Sequence, residues 1–131
     1  MPGTRKLGRK TSHRMSMLRG MVTQLLDSGK IITTVTRCRE VAPLAERVIT
    51  LAKQNDLAAY RAAMNLVTRE DVAKSAFNKA GDKYAGRDGG YTRITRVGVR
   101  RGDGAETALL ELIDWADPKK DKKAKKEKKE A

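Results

Sequence analysis

The sequence contains very few of the residues from which enzymes build catalytic and metal sites. Among its 131 residues there is one histidine, His13, and one cysteine, Cys38. A zinc site takes several Cys and His ligands and a catalytic thiol needs a neighbouring base, so these two residues supply neither. The glycine-rich stretch 86–90 lacks the Gly-Lys-Ser/Thr ending of a nucleotide-binding loop. We therefore predict that the protein is not an enzyme and has no metal, no cofactor and no small-molecule substrate.

Long apolar runs and paired cysteines are also missing. No apolar stretch approaches the roughly 20 residues that span a bilayer, and no apolar segment follows the basic start as it does in a secretory signal. One cysteine cannot form an internal disulfide, which is typical of a reducing compartment. We expect a cytoplasmic protein without a membrane partner.

Aromatic residues make up only 4% of the chain. Proteins that bind single-stranded nucleic acid usually present several stacking aromatics on one surface. Of the five aromatics, Tyr60 and Phe77 are expected in the core. If the partner is a nucleic acid, we therefore expect contacts with its phosphates and its folded shape.

Positive charge is abundant and concentrated at the two ends of the sequence. The chain carries 29 Lys and Arg against 16 Asp and Glu, a net charge of +13. Residues 1–20 include six basic residues and no acid, and residues 117–131 include eight lysines. Such an excess repels itself in a compact protein, so it indicates a polyanionic partner.

The N-terminal pattern predicts a basic extended arm over residues 1–10, followed by a helix. Thr11 or Ser12 is predicted to cap that helix, and Gly29 to end it. A mitochondrial transit peptide would also be rich in Arg and poor in acids. This helix leads directly into a predicted strand, which favours an integral part of the fold.

The remaining pattern predicts one α+β domain over residues 11–116. The β-branched run 31–35 indicates a strand. A second helix begins either near Pro43 or after Thr36, and we favour a start before the proline. Asp56 is predicted to cap a third helix, and Thr68 with Asp71 to form a capping box for a fourth helix that stops at Gly81.

Two strands end this pattern. They are predicted over 91–99, with a bulge at Gly98, and over 107–115, with the latter central in the sheet. The order α-β-α-α-α-β-β predicts a two-layer domain with a small sheet. Residues 117–131 are predicted to be a disordered lysine-rich tail.

The predicted hairpin carries four arginines, Arg93, Arg96, Arg100 and Arg101. Guanidinium groups bind phosphates in a planar, two-pronged manner, which favours RNA binding. An ordinary solvated hairpin, with ion pairs to Asp88 or Asp103, is an equally strong interpretation of the residues alone.

Three separated motifs resemble the bacterial large-subunit ribosomal protein seventeen family. The first comprises residues 8–14 (GRKTSHR) and 17–19 (MLR), and the second 29–34 (GKIITT) and 49–53 (ITLAK). The third and strongest comprises 89–94 (GGYTRI), 100–105 (RRGDGA) and 110–112 (LEL). The resemblance covers about residues 4–115 in order.

This resemblance implies a structural protein of the large ribosomal subunit, located in the cytoplasm within the ribosome near the outer end of the peptide exit tunnel. The implied partners are 23S rRNA and neighbouring large-subunit proteins. The RNA-binding residues that it implies are Arg5, Lys6, Arg9, Lys10, Ser12, His13, Arg14, Arg19, Thr33, Thr34, Arg37, Tyr91, Arg93, Arg96, Arg100 and Arg101. Pro43 departs from the family pattern, because it falls inside an expected helix.

A free-standing nucleic-acid-binding regulator or chaperone is the alternative function. It explains the charge but not the ordered motifs. A helix-turn-helix regulator needs two helices joined by a tight turn. Residues 67–71 resemble such a turn, yet the basic residues are not concentrated there.

Overall fold

A computed structural model describes residues 5–115; the predicted tail and residues 1–4 of the predicted arm lie outside them. The described chain is an α+β fold of four helices and a small antiparallel sheet, as the sequence predicted. Its elements are α1 (Thr11–Ser28), β1 (Lys30–Thr34), α2 (Val35–Gln54), α3 (Leu57–Met64), α4 (Glu70–Tyr84), β2 (Thr92–Val99) and β3 (Glu106–Leu112).

The sheet has the strand order β1-β3-β2, with both pairs antiparallel. β3 is therefore the central strand, and the prediction of its position is confirmed. Ala108, Leu110 and Leu112 alternate along it and are buried under α1 and α2. The predicted bulge is also present, because the register of β2 against β3 shifts between Arg96 and Gly98.

The prediction of a side-chain cap for α1 is wrong. The N-cap is Lys10, Thr11 is already the first helical residue, and no side chain bonds to the free amides. The described part of the arm is not extended throughout either. Leu7 and Gly8 have positive φ angles of 54° and 66°, and Arg9 N–H donates to the carbonyl of Lys6 at 3.1 Å. This turn lets Leu7 pack against the core.

α2 is a continuous helix that contains Pro43, so the favoured start before the proline is confirmed. A proline at this position has no N–H to donate to the carbonyl of Arg39 one turn earlier, and its ring crowds that carbonyl. The helix persists because its other face is fully buried, with Cys38, Val41 and Ala45 in the core.

Pro43→Ala is expected to raise the free energy of unfolding by about 1–3 kcal/mol, because alanine restores the hydrogen bond in an exposed helix interior. Urea denaturation followed by circular dichroism measures the change. An unchanged or lower midpoint would show that the pyrrolidine ring itself stabilises this helix.

The two predicted caps before α3 and α4 have opposite outcomes. Asp56 caps α3, since its Oδ1 accepts from Ala59 N–H at 2.6 Å. The capping box before α4 is wrong: the N-cap is Arg69, and the Thr68 hydroxyl lies 3.1 Å from that of Thr23 instead. α4 also continues through Gly81 to Tyr84, where the sequence predicted a stop.

An aromatic cluster lies where α1, α4 and the end of β3 meet. Tyr84 stacks on Trp115 with ring centroids 5.8 Å apart and contacts Tyr91 at 4.8 Å. Trp115 Nε1 donates to the carbonyl of Leu26 at 2.9 Å, and the Tyr84 hydroxyl donates to the carbonyl of Ile113. These bonds connect α1, α4 and the end of β3.

Burial raises the pKa of Tyr84 to about 12, from 10.0. The folded protein therefore keeps a proton that the unfolded chain loses as the pH rises through 10. The resulting stabilisation is complete below that pH and is lost toward pH 12, a change of about 3 kcal/mol.

Tyr84→Phe isolates this contribution in urea denaturation at increasing pH. At neutral pH the variant is expected to be less stable by about 1 kcal/mol, because it lacks the hydroxyl bond to Ile113. The deficit should vanish near pH 11 and reverse at higher pH, because the variant has no phenol at position 84 whose ionisation favours the unfolded chain. A deficit independent of pH would contradict a raised pKa.

Candidate nucleic-acid interface

The topology brings three segments of the chain to one end of the molecule. α2 starts at Val35, directly after the last residue of β1. Because Thr34 pairs with Thr107 in β3, the tip of the β2–β3 hairpin lies at this end too. The arm is held here by an ion pair of 3.0 Å between Arg5 Nη1 and Glu40 Oε1, in the second turn of α2. We call residues 5–14, 33–39 and 96–106 the basic end.

Charge is strongly segregated between the basic end and the rest of the structure. The basic end contains ten Lys and Arg and two acidic residues, Asp103 and Glu106, and Glu40 directly beside it pairs with Arg5. The other described residues contain eleven basic and ten acidic side chains. Nearly all the net charge of residues 5–115 therefore lies at one end, which is the electrostatic pattern of a surface that binds a polyanion.

Two helices add their positive ends to this surface. α1 and α2 both begin in the basic end, neither has a side-chain cap, and neither has an acid in its first turn. The first amides of a helix have no partner within the helix, and they carry a partial positive charge. Backbone amides beside Lys10, Arg14 and Arg37 therefore add to the attraction for phosphate.

Several predicted residues of the arm and of the first turn of α1 face solvent. Lys6, Lys10, Ser12 and His13 are exposed. Arg9 and Arg14 are half-buried because they support the turn; Arg9 Nη1 donates to the carbonyl of Leu7 at 2.8 Å. Each guanidinium keeps further N–H groups for a partner.

Most hairpin arginines have acidic partners, although of these partners only Asp103 was predicted. Arg100 forms a two-pronged pair with Asp103 at 2.6 and 2.9 Å, and Arg96 Nη1 lies 3.0 Å from Glu106. Arg93, just outside the basic end, donates to Glu111 at 2.7 Å. The guanidinium of Arg100 and the Ala105 N–H lower the pKa of Asp103 well below its usual range. The hairpin tip is thus held in shape by its own charges.

Arg101 is the exception on the hairpin. It lies in the exposed turn and has no hydrogen-bond or ion-pair partner among residues 5–115. Its charge is not offset by a neighbouring carboxylate. Of the four arginines predicted on the hairpin, it is therefore the best placed to bind a phosphate.

The end of β1 and the first turn of α2 complete the basic end. Thr33, Thr34 and Arg37 are half-buried there. Arg39, which sequence reasoning missed, is exposed in the same segment. The signal for it was the start of α2 before Pro43: a helix from Val35 puts both arginines in its opening turns.

Two of the predicted RNA-binding residues are not fully exposed on this surface. Tyr91 is only 2% exposed, packs against Tyr84, and shares its hydroxyl with Lys53 and the carbonyl of Arg87. Its role is structural, so its prediction as an RNA contact is corrected. Arg19 is half-buried, with its Nε enclosed and unpartnered among the described residues.

Other kinds of site find no support in residues 5–115. No group of His, Cys, Asp and Glu there is arranged to hold a metal ion. No helix in that range has the length and apolar character to cross a membrane. Cys38 is buried, which raises the pKa of its thiol, and the sulfur lies 3.7 Å from the carbonyl of Ala108. It is a small residue of the core.

Comparisons with known proteins agree on one family. A family model described as "Ribosomal protein L17" matches residues 17–113. A protein of Clostridium tetani named "Large ribosomal subunit protein bL17" is 58% identical over 113 residues, covering 86% of this chain and all of that protein. Proteins of the same name from Clostridium perfringens and Clostridium acetobutylicum are each 55% identical, over 86% and 85% of this chain and over 100% and 97% of their own lengths.

Proposed function

Because this chain belongs to the ribosomal protein L17 family, a structural rather than an enzymatic family, we propose that it is a structural component of the large ribosomal subunit. In this role it binds and stabilises folded 23S rRNA through the basic end, and it works in the cytoplasm as part of the ribosome.

The segregation of charge is the observation that carries this proposal. A surface with ten cations and two acids, set apart from a nearly neutral body, orients the protein toward a dense array of phosphates. No cluster of exposed aromatics accompanies it, so stacking on single-stranded bases does not explain the surface. Phosphate contact with a folded RNA explains this surface.

The partly folded arm supports the same role. Its described residues are fastened to the domain by Leu7 and by the Arg5–Glu40 pair, yet Lys6 and Lys10 point into solvent. An arm fastened in this way loses less conformational freedom when it binds RNA than a free tail does.

Sucrose-gradient sedimentation of cell lysate, before and after a high-salt wash, tests the proposal. The protein is expected to sediment with the large subunit and to remain there after the wash, because many phosphate contacts and a folded docking surface act together. Signal only in light fractions, or loss at modest salt, would instead indicate a free regulator or chaperone that binds nucleic acid weakly.

A further inference from the structure

A groove separates α1 from the outer edge of β1. Met17 and Met21 of α1 line one side, Lys30 and Ile32 of β1 the other, and Arg37 stands at one end. Its volume is about 440 Å³, enough for several amino-acid side chains. Only part of it coincides with the basic end, and methionine and isoleucine side chains lie beside polar ones in its lining.

The strand edge that borders this groove has unpaired backbone groups. β1 has one neighbour in the sheet, β3, and the carbonyl of Gly29 accepts from Leu112 N–H at 2.9 Å. Bonded residues alternate along an antiparallel pair, so Ile31 bonds to β3 while the N–H and C=O of Ile32 point into the groove. Ser28 Oγ already donates to the carbonyl of Lys30 at 2.8 Å, so a further strand can pair with the N–H and C=O of Ile32.

The groove offers both apolar and positively charged side chains. Met17 and Met21 are partly buried against the core, and methionine adapts its shape to different apolar partners. Ile32 is 67% exposed, which makes it one of the most exposed large apolar side chains in residues 5–115. Lys30 and Arg37 have no ion-pair partner among those residues, and no acidic residue lines the groove.

We propose that the groove binds an extended segment of another protein, which adds a strand to the edge of β1. The segment places an aliphatic side chain on the two methionines and an aspartate or glutamate beside Lys30 and Arg37. Main-chain pairing along an exposed strand edge, with pockets for alternate side chains, is an established way of binding peptides.

Other occupants match the groove less well. An RNA strand would leave the two methionines and the Ile32 backbone groups without matching partners, and no aromatic residue lines the groove to stack on a base. A second copy paired along β1 would bring two more cations to Lys30 and Arg37. Residues 116–131 of this chain carry eight lysines and no aliphatic side chain larger than alanine apart from Pro118, and residues 1–4 carry no acid.

Photo-crosslinking from the groove tests the proposal. The proposal rests on the proposed function in one respect, because it expects the partner to be a protein of the large subunit. A benzophenone amino acid replaces Gln24, an exposed residue of the groove, and Ser75 on the exposed face of α4 serves as the control position. Cells are irradiated, subunits are separated on a gradient, and adducts are mapped by mass spectrometry in every fraction.

The expected adduct joins position 24 to one protein segment that carries both an aliphatic and an acidic residue, and it is absent from position 75. Lys30→Gln with Arg37→Gln should reduce its yield per incorporated chain at least fivefold. Arg47→Gln with Arg61→Gln, which removes the same charge elsewhere, should leave the yield unchanged.

Adducts with rRNA, no adduct in any fraction, or equal loss with both double variants would overturn the groove proposal. The gradient tests the proposed function separately. The same protein adduct found only in light fractions would support the groove while contradicting assembly into the large subunit.

Discussion

Replacing Lys6, Lys10 and Arg101 together with glutamine is expected to weaken binding to 23S rRNA about 100- to 1000-fold at 0.1 M salt, because each lost phosphate contact also ends the release of a counterion. All three side chains are exposed at the basic end, and none has a partner among residues 5–115. The fold should therefore be unaffected.

The salt dependence of binding makes this prediction specific. In filter-binding or fluorescence titrations, the slope of log affinity against log salt should become shallower by about 2 to 3. The control is Arg47, Arg61 and Lys74 replaced with glutamine, which lowers the net charge equally but lies outside the basic end. If both triple variants lose affinity equally, binding depends on total charge and not on this surface.

Trp115→Ala is expected to lower the free energy of unfolding by about 3–5 kcal/mol, the range for removing a buried aromatic side chain. Trp115 is 2% exposed, stacks on Tyr84, and donates to the carbonyl of Leu26. Its loss leaves a cavity and an unsatisfied buried carbonyl where the end of β3 meets α1.

Trp115→Phe separates these two contributions, because phenylalanine keeps most of the apolar contact and lacks the indole N–H. An intermediate loss of about 1–3 kcal/mol is expected, since a buried carbonyl loses its donor. Urea denaturation followed by far-ultraviolet circular dichroism measures both variants. If the alanine variant lost under about 1 kcal/mol, the aromatic cluster would not be a main contributor to stability.

The spacing of apolar residues, together with the capping and turn residues between them, predicted the order of the helices and strands. Gly29 ends α1 in the left-handed conformation with φ of 84°, and Asp56 caps α3. Both signals act over one helical turn, so no distant residue can easily change them. Pro43 was harder, because the buried face of α2 outweighs the local cost of a proline.

The wrong predictions share a physical cause, which is competition from distant groups. The hydroxyl of Thr68 was expected to cap α4, but it pairs with Thr23, which lies 45 residues away in the sequence. Gly81 does not stop α4, because Ala80 and Tyr84 on either side of it are buried and extend the packing. Such contacts are not visible in local sequence patterns.

The candidate site was predicted in composition but not in arrangement. Basic residues on the arm and hairpin were identifiable from charge, whereas their meeting at one end depends on the antiparallel pairing of Thr34 with Thr107. Tyr91 was placed wrongly because it adjoins the arginine-rich strand while its ring turns inward to Tyr84. The groove beside β1 was missed because its lining comes from α1, β1 and α2 together.

Directed hydroxyl-radical cleavage of 23S rRNA in reconstituted large subunits tests the central claim most directly. An iron chelate is tethered to a cysteine at Arg101→Cys in the basic end or at Arg61→Cys on α3; the native Cys38 is buried and stays unlabelled. Strong, localised cleavage from position 101 and little from position 61 is the predicted result. Equal cleavage from both positions, or stronger cleavage from position 61, would contradict binding through the basic end.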